Sequence, residues 1–333
     1  MDTETIFPDE GRALIARTLV AHDVSPANAA RVAQALVQAE AEGLSGHGFA
    51  RVAAYAAQAR AGKVRGQATP AVTRPRPGTI CVDAGLGFAY PALDAAHDPL
   101  VSAARELGIA CAAIVNSHHC GALGQPVERL AEAGLIGLMM ANAPASMPPW
   151  GGSEPLFGTN PIAFAAPRHN GAPLVIDLSL SKVARGKIMA AAKLGKPIPE
   201  GWAVDRDGRP TTDAKAALDG AMLPAGGAKG AALALMVEIF AGALAGPHFS
   251  YQAASFFDAE GPAPAVGQFL IAIDPGASRP EALDRITALF AEIDAQDGAR
   301  LPGRRRQDGR TDADRNGLQV PRALLDEIRR MAG

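Results

Sequence analysis

His118-His119-Cys120-Gly121 follows directly on the apolar run that ends at Val115-Asn116. Such a run reads as a strand, so two imidazoles and a thiol sit at its carboxyl end, where α/β folds place their ligands. Only one of two adjacent rings can easily face a core, and the other is then free for proton transfer; a hydrogen-bonded structural histidine is the competing account. Cys120 reads as a small buried filler, since nothing in the sequence marks a low-pKa environment, although a Cys120–His119 thiol hydrolase is a class the pair allows. His47 and Arg51 lie four residues apart, a spacing that a helical start would place on one face as a proton carrier beside a planar carboxylate grip. An exposed histidine and a surface arginine explain that spacing equally well.

Other segments carry weaker chemistry. Phe157-Gly158-Thr159-Asn160-Pro161 is a tight turn whose hydroxyl and amide can orient a ligand, Asp177-Leu178-Ser179 ends a strand where an acid can accept from a ribose or cap a helix, and Gly226-Gly227-Ala228-Lys229-Gly230 opens a helix with close-approach glycines and one cation. Gly85-Leu86-Gly87 lacks the third glycine of the dinucleotide fingerprint and there is no phosphate loop, so a nucleotide would bind outside the Rossmann scheme. Residues 300–315 hold six arginines with aspartates between them, either a solvated segment or a phosphate clamp. If it is a clamp, Arg304 and Arg305 would grip a phosphate.

The elements that must position these groups are legible from periodicity. Ser25-Pro26 caps a helix that runs to Gly43, a second follows over 52–60, and from 92 to 141 helices alternate with apolar runs at 109–115 and 135–141, which reads as α/β. Strands are expected at 161–166, 174–180 and 268–273, helices at 184–193 and 229–245, and irregular loops at 144–158 and 256–267. The 333 residues, 48% hydrophobic and 20% charged, exclude a small binding module and a disordered chain. A net charge of −2 argues against nucleic-acid and acidic-membrane partners. The stretch 230–246 carries Glu238 and falls short of the ~20 residues a bilayer needs, so a buried alanine-rich helix is expected. Three cysteines without CxxC spacing suggest no disulfide framework and no metal site, and with four acidic residues in the first ten and no basic leader the expected location is the cytoplasm.

Six segments in order, GHGFAR (46–51), NSHHCGAL (116–123), FGTNPIAFAAP (157–167), VIDLSLSKVARGKI (175–188), IPEGWAVDRDG (198–208) and GGAKGAAL (226–233), resemble the malate/L-lactate dehydrogenase type 2 family of non-Rossmann nicotinamide oxidoreductases over nearly the whole chain. The resemblance implies an α/β protein whose nicotinamide-binding domain (118–284) is inserted in a discontinuous, largely helical domain (1–117 plus 285–333), active as a homodimer. Residues 87–93 and the run SFFDAEGPAPAVGQFLIAID look most like the branch that reduces Δ1-pyrroline-2-carboxylate or Δ1-piperideine-2-carboxylate to proline or pipecolate. The alternative is a 2-hydroxy acid dehydrogenase, with which Arg185-Gly186-Lys187 is shared; some imine reductases have an acid in place of Lys187.

By resemblance His47 donates the proton, Arg51 holds the carboxylate of a small 2-imino or 2-oxo acid, and His119 stands where substrate and nicotinamide meet. Thr159, Arg185 and Gly186 would line the substrate site, while Cys120, Gly121, Ala122, Leu123, Asp177, Leu178, Ser179 and Lys229 would contact the nicotinamide cofactor, NADPH in preference to a still usable NADH if Arg304 and Arg305 clamp the 2′-phosphate. The family's serine before the first histidine is replaced here by Gly46, with Ser45 one residue early, so the relay hydroxyl is displaced or missing.

Overall fold

The computed structural model describes residues 2–333. Its centre is a seven-stranded mixed sheet in the order β2 (Ala71–Arg76), β3 (Thr79–Asp83), β4 (Ile109–Ser117), β11 (Val266–Ile273), β5 (Ile136–Ala141), β6 (Ile162–Ala166) and β7 (Leu174–Leu178). Only β3 and β4 run parallel. Alternate residues of the central strands enter two different cores, as a pleat with period two requires. Ile114, Met139 and Leu270 face α4 (Ala89–Leu107) and α5 (Gly124–Glu132), whereas Ala113, Met140 and Phe269 face α6 (Arg185–Lys193), α7 (Ala214–Asp219) and α8 (Ala228–Val237). Beside the latter lies a small antiparallel sheet of β8 (Ala203–Val204), β9 (Pro210–Thr211) and β10 (Ala221–Met222).

A second body combines both ends of the chain. β1 (Thr3–Ile6) pairs antiparallel with β12 (Leu318–Pro321), and α1 (Pro8–Val20), α2 (Pro26–Ala41) and α3 (Val52–Arg60) bury Leu19, Leu36 and Tyr55 against Leu325 and Ile328 of α12 (Arg322–Ala332). α9 (Pro275–Ser278) and α10 (Ala282–Asp294) follow the sheet, and α11 (Arg304–Asn316) returns the chain to the helical body. Position 117, expected as a boundary, is the last residue of a central strand, and β2 and β3 precede it in the same sheet. We therefore propose that the inserted body begins near position 70.

Two local expectations change. Residues 304–316 form a helix rather than a loose segment, and the apolar stretch after Gly227 is α8 followed by a π-helical turn, Glu238–Ala243. That stretch buries Ala231, Ala234 and Val237 but leaves Leu235 and Ile239 about half exposed, so it is amphipathic and not wholly buried. The turn approaches the sheet at Gly267, where a Cβ would stand 2.1 Å from the Ala241 carbonyl oxygen. Among the described residues no helix is long and apolar enough to cross a membrane.

Candidate active site

The Ser25 side chain accepts from Asn28 N at 3.3 Å and Pro26 opens α2, so that helix is capped as its sequence demands. It delivers the chain into two 3₁₀ turns, Ser45–His47 and Phe49–Arg51, separated by Gly48. His47 and Arg51 are thus not on one continuous helix. They are brought together because the Arg51 Nε donates to the Gly46 carbonyl at 2.8 Å, folding the guanidinium back over the first turn. Gly48 is needed for a different reason: the Glu40 carboxylate accepts from Phe49 N at 2.9 Å, and a Cβ on Gly48 would lie 2.1 Å from the same carboxylate.

The end of β4 separates the two adjacent imidazoles. His118 is 1% exposed and its Nε2 meets Gln58 Oε1 at 2.6 Å, while His119 turns into the cavity with its Nδ1 2.5 Å from the Tyr55 hydroxyl. Tyr55 is in turn 3.0 Å from the Tyr90 hydroxyl. His47 and His119 stack with centroids 5.2 Å apart and planes 11° from parallel. Burial, then the nearby Arg51 guanidinium, lowers His47 to about 4 and holds His119 well below the usual imidazole range, so both rings are neutral at pH 7. Burial pushes Tyr55 up to about 12, keeping its proton available to a partner. It also pushes the Cys120 thiol up to about 12, which disfavours the thiolate a hydrolase would need.

Both imidazoles line a cavity of about 520 Å³. Arg51, Cys120, Gly121, Ala122, Leu123, Thr159, Asp177, Ser179, Arg185 and Gly186 line it too. Leu178 does not: it alternates to the other face of β7 and is exposed. Lys229, Arg304 and Arg305 are solvent-exposed and also lie outside the lining. The arginine of that segment that does reach the cavity is Arg306, whose Nη1 pairs with Asp177 Oδ2 at 3.0 Å. The same Asp177 oxygen accepts from Gly124 N at 3.0 Å, a carboxylate at the amino end of α5, where the helix dipole favours it.

The walls fit a nicotinamide. Gly121, Ala122, Ala141, Ala143 and Ala145 leave a slot without bulky side chains, and the buried Ser146 hydroxyl beside it has no partner among the described residues. Residues 120–123, Asp177 and Ser179 would hold the cofactor there. Among the described residues no cluster suited to a metal occurs.

Tyr55, Tyr90, Ser146, Phe256, Phe257 and Arg306 were not singled out as site residues from sequence. One signal was available: the chain has three tyrosines, and Tyr55 follows Arg51 by one helical turn.

Neutral imidazoles beside a guanidinium that has no carboxylate partner among the described residues suit proton exchange with a small carboxylate, and comparison with known proteins gives the class of oxidoreductase that holds them. The chain belongs to the malate/L-lactate dehydrogenase family, whose model matches residues 6–329. It is 50% identical to a (2R)-3-sulfolactate dehydrogenase (NADP(+)) of Chromohalobacter salexigens, over 97% of this chain and 96% of that protein. It is 41% identical to a Δ1-pyrroline-2-carboxylate reductase of Pseudomonas fluorescens, over 98% of each. The crystal structure of the Δ1-piperideine-2-carboxylate reductase of Pseudomonas syringae pv. tomato superposes with a TM-score of 0.91 at 38% identity, covering 99% of this chain and 100% of that one.

We propose that Gly46 limits how firmly His47 is oriented. His47 Nδ1 is buried without a partner, and a Cβ on Gly46 would meet nothing within 4 Å. A serine hydroxyl here can hold the imidazole, and one net hydrogen bond corresponds to roughly 2–10-fold in rate. Gly46→Ser is expected to raise kcat by that factor in initial-rate assays. An equal or lower kcat would show that the ring is oriented by other means, with Ser45 the first suspect.

Proposed function

We propose that the chain interconverts a 2-hydroxy acid and its 2-oxo acid, that this acid carries a second anionic group as 3-sulfolactate does, and that NADP(H) is the hydride partner. The observation that carries this is the pair Arg51 and Arg185. Both line one cavity, and among the described residues neither has a carboxylate within 4 Å, whereas Arg306 is neutralised by Asp177. Arg185 spends Nη2 on the Leu218 carbonyl at 3.2 Å, and burial lowers its pKa, which an anion would offset. One guanidinium matches the 2-carboxylate and the other the distal anion.

Residues 120–123 would hold a nicotinamide, which when bound would supply the hydride exchanged at the substrate C2. The remaining work falls to side chains. Tyr90 donating to Tyr55, and Tyr55 to His119 Nδ1, fixes His119 as the tautomer that keeps its Nε2 proton and can hold the substrate oxygen. His47 exchanges the proton with that oxygen: it accepts in oxidation and donates in reduction. A bound carboxylate cancels the field of Arg51, raising the His47 pKa towards the range where it can do both.

Cyclic 2-imino acid reduction is the second reading. Phe256 and Phe257 line the same cavity, and an aromatic wall suits a saturated ring. Initial rates separate the two: NADP+ with 3-sulfolactate, malate and lactate, against NADPH with Δ1-pyrroline- and Δ1-piperideine-2-carboxylate, each repeated with the non-phosphorylated cofactor. A higher kcat/KM for either cyclic imine than for 3-sulfolactate overturns the first reading. Arg185→Met is expected to raise KM for the dianion by roughly 10–100-fold, the value of a charged hydrogen bond, while KM for lactate stays nearly unchanged. Equal effects on both acids would take Arg185 off the distal group. The relative named for NADP(+) supports the cofactor choice. A homodimer in the cytoplasm belongs to the same proposal, consistent with three unpaired cysteines and the half-exposed Leu235 and Ile239 on α8.

A further inference from the structure

Lys63 is 3% exposed, a degree of burial lysine rarely reaches unless it is paired. Its Nζ donates to Asp258 Oδ1 at 2.9 Å and to the Asp258 carbonyl at 3.1 Å. Five residues earlier, the fully buried Gln58 donates Nε2 to the Phe256 carbonyl at 2.9 Å while its Oε1 meets His118. Two side chains from α3 and its exit therefore grip residues 256–258, which lie on the irregular approach to β11 in the other body. The grip has a consequence inside the cavity. The Phe256 ring rests 5.1 Å from His119 and 5.4 Å from His118, and the Arg51 guanidinium carbon stands 4.8 Å over the ring of Phe257. Besides the hydrogen bond to Gly46, that ring orients Arg51, whose buried Nη1 has no hydrogen-bond partner among the described residues.

We propose that Lys63 and Asp258 form a latch between the two bodies, and that the latch, with Gln58, positions the Phe256-Phe257 wall and so the guanidinium that receives the substrate carboxylate. The inference rests on the reading that Arg51 takes that carboxylate. Lys63, Asp258 and Gln58 touch neither substrate nor reacting atoms in this account; they act through the aromatic wall and Arg51.

Asp258 is the side to change, because its side chain is half exposed and its replacement does not hollow a core. In the full-length enzyme, Asp258→Asn is expected to raise KM for the acid by about 3–30-fold, the range of a cation–π contact. The kcat and the cofactor KM should stay within about twofold of wild type, as a lost positioning contact predicts. Asp258→Glu keeps the carboxylate and should restore most of the affinity. Without substrate, hydrogen exchange read by mass spectrometry should quicken over residues 255–260 and 47–52 in Asp258→Asn. An unmoved KM, unmoved exchange, a matched rise in acid and cofactor KM, or an Asp258→Glu variant as impaired as Asp258→Asn would each overturn the inference. A wild-type enzyme that turned over none of the acids would instead count against the proposed function, and the exchange measurement would still decide the latch.

Discussion

His119→Ala is expected to lower kcat by roughly 10²–10⁴-fold, and His47→Ala by a similar factor, the span that positioned acid–base groups contribute. The two rings are stacked at one wall of the cavity, so each variant removes a donor or acceptor that the other cannot replace from its own position. The pH profiles should differ. His47 is held at about 4 by burial and then by Arg51, so in the oxidation direction, where it must be unprotonated to accept, the wild-type acid limb of kcat/KM, which reports the free enzyme, lies far below pH 6.5. In the kcat profile, which reports the complex, the bound anion opposes Arg51 and the limb moves up. His47→Ala should abolish that displacement as well as the rate. Wild-type kcat in both variants would take the imidazoles out of the mechanism.

The second large effect is expected at Arg51. A planar fork matches a carboxylate with two parallel hydrogen bonds, and an ammonium on a flexible stem does not. Arg51→Lys should raise KM for the acid by roughly 10–100-fold, as the loss of a charge-assisted hydrogen bond implies. It also loses the guanidinium contact over the Phe257 ring and the Nε bond to the Gly46 carbonyl, so the His47 turn is loosened at the same time. Saturation kinetics at fixed cofactor read the change, and an unmoved KM would exclude Arg51 from the substrate.

The residues legible from sequence were those whose partners lie nearby in the chain. His47 and Arg51 share one short loop, His118 and His119 end a strand whose apolar run is unmistakable, and Asp177 ends another. Phe256, Phe257 and Arg306 join the same cavity only through long-range packing, which no local spacing encodes, whereas Tyr55 stands behind it against His119 and is marked in the sequence only by its spacing from Arg51. The arginine cluster shows the limit clearly. Its composition points to a cation at the site but not to which one, and on a helix residues two apart differ by about 200° in direction, so Arg304 faces water where Arg306 reaches Asp177. Arg310, one turn further on, shares the inward face and binds Glu42 and Glu128 at 2.7 and 2.6 Å. The sheet order was equally hidden: β11 enters between β4 and β5, although more than a hundred residues separate it from either.

The pairing of β1 with β12 sets a timetable for synthesis. Thr3 and Gln319 meet across 316 residues of sequence. At about 5–20 residues per second a ribosome needs roughly 15–60 s to deliver the second strand after the first has emerged. Through that interval Leu19, Leu36 and Tyr55 lack the cover of Leu325 and Ile328, whereas before its end the sheet, whose last strand ends at Ile273, has all its strands. The nascent chain therefore matures from its middle outward, and its first-made helices are the last to be sealed.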